Sequence, residues 1–444
     1  MPIRTPFEAR PLHGFNLRYL FLVIYVWFLR CLAYLEVYLT NHLRPLPGPD
    51  VTVSKVWFPS RDKGRKIFAN IYRPVGLKEG SMPVHINVHG SGFAIPAFFG
   101  NSRYFCYVLA KLLQCVVIDT DYRKAPENPF PRGSIDVSDC ILWVHSQPQR
   151  YDLSRVTLSG FSAGANLAMS ALQQITPGMI KAIIAFYPPS DATSSYACLG
   201  VRRFPHKMFR SGVQLASNVF TLFNSAFVQR HVDPSVSTLS VLYTPIENIP
   251  DYGLFVSGAA DMYMDTVEIY NRIQSLGTPA QKAGHRFLGI PNEAHAFDEQ
   301  PKTPESVWWR DYTFAASVET IRGAWRTVAA AKEGRTEFGN LVVSNFCFEE
   351  TDDPIRREIL FGTNEQCNYS VRLHEELERS MDHNGPTLTR SIMYGEGATL
   401  TKDPRAKQLF EAAGLPEPKL DLLAKEKNPA VAFSLANLPG QRTH

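Results

Sequence analysis

The stretch RVTLSGFSAGANLAMSALQQ, residues Arg155 to Gln174, decides the fold. RVTLSG reads as a strand, GFSAG as a sharp turn bounded by Gly160 and Gly164, and ANLAMSALQQ as a helix. A bare GxSxG arises by chance in on the order of one in seven chains of this length. A strand running straight in and a helix running straight out narrow it. Such a turn forces Ser162 into strained backbone geometry, and a Cβ at either glycine would meet neighbouring backbone. Ser162 would then stand above a sheet, beside the positive end of a helix. The rival reading is a glycine-rich helix start.

Outward from this stretch, strands alternate with helices. Strand patterns occupy Val51 to Phe58, Arg65 to Arg73 and Val84 to His89, followed by a helix over Ser102 to Gln114 and the buried strand CVVIDT. A helix near Ile135 to His145 leads into the opening stretch. After it come the strands IKAIIAFY and GLFVSG, a helix near Met264 to Leu276 and the strand HRFLGI. This predicts an α/β fold with a mostly parallel central sheet covered by helices on both faces, and ligands at the carboxyl ends of its strands. Between Asp191 and Ile249 the alternation lapses into an insertion containing Phe204, Phe209, Phe220, Phe223 and Phe227, which reads as core or as an apolar substrate face.

A serine hydroxyl needs a base with a pKa near ambient, and histidine is the usual solution. His295 lies in the loop PNEAHAF just after the last strand, whereas His285 begins that strand and reads as structural. The histidine needs a carboxylate to fix its tautomer. Asp261 follows GLFVSG at a strand's carboxyl end and is favoured over Asp265, which falls in a first helical turn where an acid merely complements the dipole. HGSGF, His89 to Phe93, offers small residues whose backbone N–H groups are able to turn toward an oxyanion, and Ala163, after the serine, offers another.

The chain has 444 residues, 45% hydrophobic and 20% charged, with a net charge of +4, which excludes disorder overall and leaves no electrostatic footprint for nucleic acid. Seven scattered cysteines with no CxxC pair argue against a zinc site, and no pattern calls for a metal or organic cofactor. Tyr19 to Leu29 is an unbroken apolar or aromatic run inside a mostly apolar stretch, residues 15–40. It predicts a single-pass membrane anchor in a unit 1–44, with an interfacial helix, a packed helix or a cleaved signal as rivals. Arg30 is the objection, since a mid-helix arginine costs about 2.5 to 3.5 kcal/mol on insertion scales. Arg4, Arg10 and Arg18 before the helix favour a lumenal catalytic domain. RPLPGPD, Arg44 to Asp50, reads as a linker, so the catalytic domain is set at 45–330, with a cap insertion at 191–249. Residues 331–444 read as a polar extension, with a short helical pattern over Arg405 to Ala413 and a sequon at Asn368.

HGSGF, DYRKAPE (Asp121 to Glu127), GFSAGANLA, GAADMYMD and the His295 loop, in that order, resemble the hormone-sensitive-lipase-like α/β-hydrolases, and the apolar N-terminus resembles arylacetamide-deacetylase-type members. The likeness covers roughly Val51 to Gly323. It implies an α/β-hydrolase fold with a helical cap and a triad of Ser162, Asp261 and His295. It further implies an oxyanion hole from Ser91, Gly92 and Ala163, supported by His89, Gly90, Gly160 and Gly164. Two positions depart from the family: Ser91 replaces a glycine, with less freedom at positive φ, and Lys124 replaces a leucine. The implied activity is serine carboxylic-ester hydrolysis of small to medium apolar or aromatic esters. An acyltransferase with the same triad, or a ligand-binding receptor on a hydrolase scaffold, are the rivals.

Overall fold

The computed structural model describes residues 17–40, 48–77, 80–193, 222–229, 231–258, 261, 263–290, 293–301 and 303–332. Phe204, Phe209, Phe220, the sequon, the Arg405 to Ala413 pattern and everything beyond residue 332 lie outside these residues.

Strands buried on both faces become the interior of a parallel sheet, and all but the last of these do. β3 (Met82–Val88), β4 (Val116–Thr120), β5 (Tyr151–Phe161), β6 (Ala182–Phe186), β7 (Tyr252–Gly258) and β8 (His285–Ile290) run parallel. β1 (Val51–Pro59) and β2 (Lys66–Pro74) form an antiparallel hairpin whose second strand joins β4 antiparallel. The order is β1-β2-β4-β3-β5-β6-β7-β8. β1 is solvent-facing over most of its length and serves as an edge, whereas β4, β6 and β7 are buried at every position.

Period-2 alternation sends neighbouring side chains to opposite faces. Ile183, Ala185 and Phe255 join a cluster with α3 (Arg132–His145), α4 (Ala163–Leu172) and α5 (Tyr263–Leu276). Ile184, Phe186, Leu254 and Val256 join another with α2 (Arg103–Leu113) and α7 (Pro304–Lys332). α3 begins three residues before its sequence-based start because Gly133 fits inside the helix. A Cβ there would sit 3.2 Å from the Leu167 methyls of α4. The short helix α6 (Pro279–Gly284) leads into β8. α7, whose Trp308, Phe314 and Ile321 are buried, has no counterpart in the sequence-based elements.

α1 (Leu17–Thr40) is long and apolar enough to cross a membrane. It nonetheless packs one stripe on the domain: Leu22 and Val26 are fully buried, with Leu29, Ala33 and Val37 beside them at helical spacing. Arg30 belongs to that stripe and is 5% exposed. Phe21, Ile24, Phe28 and Leu35 face outward.

A polar ladder crosses the middle of the sheet. His85 meets Thr157 and Ser159 at 2.9 and 2.7 Å, Ser159 donates to Asn87 at 2.8 Å, and Asn87 donates to Asp119 at 2.7 Å. Burial pushes the Asp119 carboxyl up to about 7, and its Oδ2 has no hydrogen-bond partner among the described residues. A carboxyl whose folded pKa exceeds its unfolded value stabilises the fold while protonated, and that stabilisation is lost as pH rises from about 4 through 7. Asp119→Asn is therefore expected to raise the melting temperature at pH 8 and to raise it by less at pH 5. The shift sets a ceiling of about 4 kcal/mol, and relaxation reduces it to about 1 to 2. Thermal melts at the two pH values check this, and a variant destabilised equally at both would contradict it.

Candidate active site

β5 ends at Phe161, and Ser162 follows at φ 51°, ψ −122°, immediately before α4. This is backbone that a side chain tolerates only when its surroundings fix it. The Ser162 N–H donates to Phe186 O at 2.9 Å, tying the turn to the end of β6. A Cβ on Gly160 would lie 2.5 Å from Gly164 O and 2.6 Å from Ala165 Cα, and one on Gly164 would lie 2.5 Å from His89 O. The two glycines thus let the turn close against both its own helix and the end of β3.

Asp261 follows β7 and is fully buried; its two oxygens accept from His295 Nδ1 at 2.8 and 2.9 Å. His295 Nε2 lies 2.8 Å from Ser162 Oγ. Three side chains from the carboxyl ends of β5, β7 and β8 therefore meet in a hydrogen-bonded line. Burial alone would lower the His295 pKa. The charge of Asp261 and its hydrogen bond outweigh burial, with Glu299 and Asp298 adding in the same sense, so the imidazole stands above its ordinary 6.5.

The alternatives from sequence lie elsewhere. Asp265, in the first turn of α5, accepts from Ser190 N at 3.0 Å. His285 is buried with Nδ1 against Gln281 O at 2.8 Å, and burial lowers its pKa to about 4.

His89 to Phe93 leaves β3 and turns back over the serine. A Cβ on Gly90 would stand 3.5 Å from Ser162 Cβ, so this loop abuts the turn. The left-handed positions are Gly92 (φ 54°) and Phe93 (φ 63°), not Ser91. Ser91 is buried and its hydroxyl meets Tyr122 OH at 2.6 Å, while its carbonyl accepts from Ala94 and Ile95. Ala163, as the first residue of α4, has an N–H without an intrahelical acceptor. The Phe223 ring fills the space a Gly92 side chain would need, and Phe227 stacks on Phe93 with centroids 3.9 Å apart. Phe227 is 3% exposed and thus core, while Phe223 is half-buried over the loop.

Lys124, the departure noted in DYRKAPE, is buried beneath this loop. Its ammonium lies 2.6 Å from Asp121 Oδ1, 3.3 Å from His89 Nε2 and 3.5 Å from the Tyr122 ring centroid. Burial would raise the Asp121 carboxyl, but Lys124 and the His89 hydrogen bond hold it below the usual range.

Tyr187 was not singled out from sequence. It follows β6, sits at φ 39°, packs its ring 4.6 Å from that of His295 and donates to Asp298 Oδ1 at 2.5 Å. Burial raises the Asp298 carboxyl to about 6. The signal in the sequence is a tyrosine closing an otherwise apolar strand. A separate surface hollow of about 400 Å³, lined by Asp152, Arg155, Arg322 and Trp325, lies at the opposite end of β5 from Ser162. Among the described residues no cluster of His, Cys, Asp and Glu is arranged to hold a metal.

A family model described as alpha/beta hydrolase fold matches residues 85–298. A protein of Acanthamoeba polyphaga mimivirus described as an α/β hydrolase is 26% identical over 253 residues, 54% of this chain and 68% of its own. The versiconal hemiacetal acetate esterase of Aspergillus parasiticus is 33% identical over 126 residues, 28% of this chain and 38% of its own, so well under half of that relative is spanned. Among solved structures, an esterase of Pyrobaculum calidifontis superposes with a TM-score of 0.52 at 20% identity, covering 70% of this chain and 93% of its own. At that identity the likeness speaks for the fold.

Proposed function

We propose, on the match of residues 85–298 to a family model described as alpha/beta hydrolase fold, that the protein is a serine carboxylic-ester hydrolase working through an acyl-enzyme. The observation that carries the reading is the 2.8 Å approach of His295 Nε2 to Ser162 Oγ, with Asp261 on the other ring nitrogen. Ser162 Oγ attacks the ester carbonyl while its proton passes to His295 Nε2. Asp261 holds the Nδ1–H tautomer and stabilises the imidazolium. The backbone N–H groups of Ser91, Gly92 and Ala163 receive the oxyanion, each donor being worth about 2.7 to 4 kcal/mol. His295 then protonates the leaving alcohol, and water, activated by the same imidazole, releases the acid. The half-buried Phe223 beside Gly92 and the stacked Phe93 support small to medium apolar or aromatic esters as substrates. Membrane association through residues 15–40 is part of the proposal, supported by the outward apolar face of α1. Flotation with phospholipid vesicles tests it, and protein left at the bottom of the gradient would count against association.

The test of the chemistry is turnover of p-nitrophenyl butyrate together with peptide mapping of a fluorophosphonate label. Label on a peptide lacking Ser162 would overturn the mechanism. The pH profile gives a further expectation. The base works only as neutral imidazole, so protonation at low pH removes activity. Because His295 titrates above 6.5, the acid limb of kcat/KM should have its midpoint above that value. A midpoint below 6.5 would contradict His295 as a base facing Asp261, Asp298 and Glu299.

A further inference from the structure

The loop after β3 holds a phenylalanine, Phe93, in the left-handed region next to Gly92. Such a conformation persists when its surroundings over-determine it, and the contacts doing so are visible. Ser91 O accepts from Ala94 and Ile95, at 3.1 and 2.9 Å, and Phe93 O accepts from Ala125 N at 2.9 Å, which joins this loop to the DYRKAPE segment. On either side of that bond a carbonyl is taken by one guanidinium: Arg30 Nε donates to Ala94 O and an Arg30 terminal nitrogen donates to Ala125 O, both at 2.9 Å. The same group closes a two-pronged pair with Glu127 at 2.8 and 2.7 Å, and Trp27 Nε1 donates to Glu127 at 3.0 Å. Arg30 comes from the middle of α1, outside the sheet and its covering helices.

We propose that Arg30 is a positioning residue for the oxyanion loop, so that α1 is a working part of the active site as well as an apolar surface. The inference rests on the esterase reading for its catalytic consequence. Ala94 lies two residues after Gly92 and three after Ser91, whose N–H groups that reading assigns to the oxyanion. A planar fork reaches two carbonyls and a carboxylate at once, and an ammonium does not. Without the fork, two buried carbonyls lose this donor while Glu127 keeps Trp27, and the loop moves to find others. Donors that act in the transition state tolerate little displacement, and a shift of about 1 Å costs on the order of 100-fold.

The experiment compares full-length wild type, Arg30→Ala, Arg30→Lys and Leu22→Ala in mild detergent. Hydrogen exchange is followed on peptides covering residues 88–98 and 122–128, and kcat and KM are normalised to sites titrated by fluorophosphonate. Arg30→Ala is expected to speed exchange in those peptides and to lower kcat per site by about 10- to 100-fold with KM changed by less than about threefold. The loss should be smaller for a thionoester than for the matching oxoester, because sulfur gains little from oxyanion donors. Arg30→Lys should recover only part of the loss. Leu22→Ala, which loosens α1 but keeps the guanidinium, should lower the melting temperature and leave kcat per site within about twofold.

Unchanged exchange in both peptides for Arg30→Ala, or for Arg30→Lys if the alanine variant does not fold, would overturn the proposal. So would equal kcat losses in Leu22→Ala and Arg30→Ala. Inert wild type with faster loop exchange in the variants would instead sink the esterase reading and leave Arg30 as the anchor of the loop.

Discussion

Exchange of Ser162 for alanine is expected to lower kcat by about 10,000-fold or more and to abolish fluorophosphonate labelling, while leaving the fold intact. The hydroxyl is the only part of the residue the chemistry uses. What holds the turn is backbone: the Ser162 N–H on Phe186 O, the contact of Gly160 with Gly164 and Ala165, and the start of α4. The strain at φ 51° belongs to any residue with a Cβ. Ser162→Ala should therefore melt close to wild type. Ser162→Gly, equally inactive, should melt higher by the equivalent of about 1 kcal/mol, within the 1 to 3 kcal/mol such conformations cost, offset by glycine's freedom when unfolded. Activity per molecule and thermal melts on the same preparations decide the matter. An alanine variant within tenfold of wild type, still labelled, would remove Ser162 from the mechanism.

Gly164→Ala is expected to destabilise the protein by about 3 kcal/mol or more, the upper end of what overpacking usually costs. A Cβ there would meet the carbonyl oxygen of His89 at 2.5 Å and that of Val88 closer still. Neither neighbour is the movable end of a side chain. Both belong to the end of β3, which pairs with β4 and β5 on its two edges. Relief would have to push β3 and the loop after it away from Ser162, so activity should fall with stability. By contrast, Gly178 has nothing within 4 Å of its absent side chain and only its φ of 83° to satisfy, so alanine there should cost about 1 to 2 kcal/mol. Denaturant midpoints of the two variants provide the comparison, and a loss below about 1 kcal/mol at Gly164 would deny the close approach.

What could be read from the sequence was local or periodic. The strand, turn and helix around Ser162 announce themselves within twenty residues, and the apolar runs of β4, β6 and β7 need no partner to be recognised. The positions of Asp261 and His295 just past strands were legible for the same reason. α7 was not, because it is buried on several sides and mixes Trp308 and Phe314 with buried Arg310, Asp311 and Thr313, which erases the amphipathic period. Arg30 illustrates a different limit. In sequence it is a charge in an apolar helix and therefore a penalty. In space it is satisfied by Ala94, Ala125 and Glu127, some 64 to 97 residues away. The loop after β3 likewise differs in detail, since Gly92 and Phe93 take the left-handed backbone and the serine at position 91 is spared.

Among the described residues β8 lies at the outer edge of the sheet and pairs with β7 alone, and it leads into the loop with His295. Ser162 and its elbow, by contrast, follow a central strand, β5, whose neighbours in the sheet are β3 and β6. As the polypeptide leaves the ribosome the proposed nucleophile is thus synthesised 133 residues before the proposed proton acceptor, whose strand lies at the far side of the sheet. On the proposed mechanism a molecule without that edge strand is chemically silent, and docking of β8 is the step that arms it.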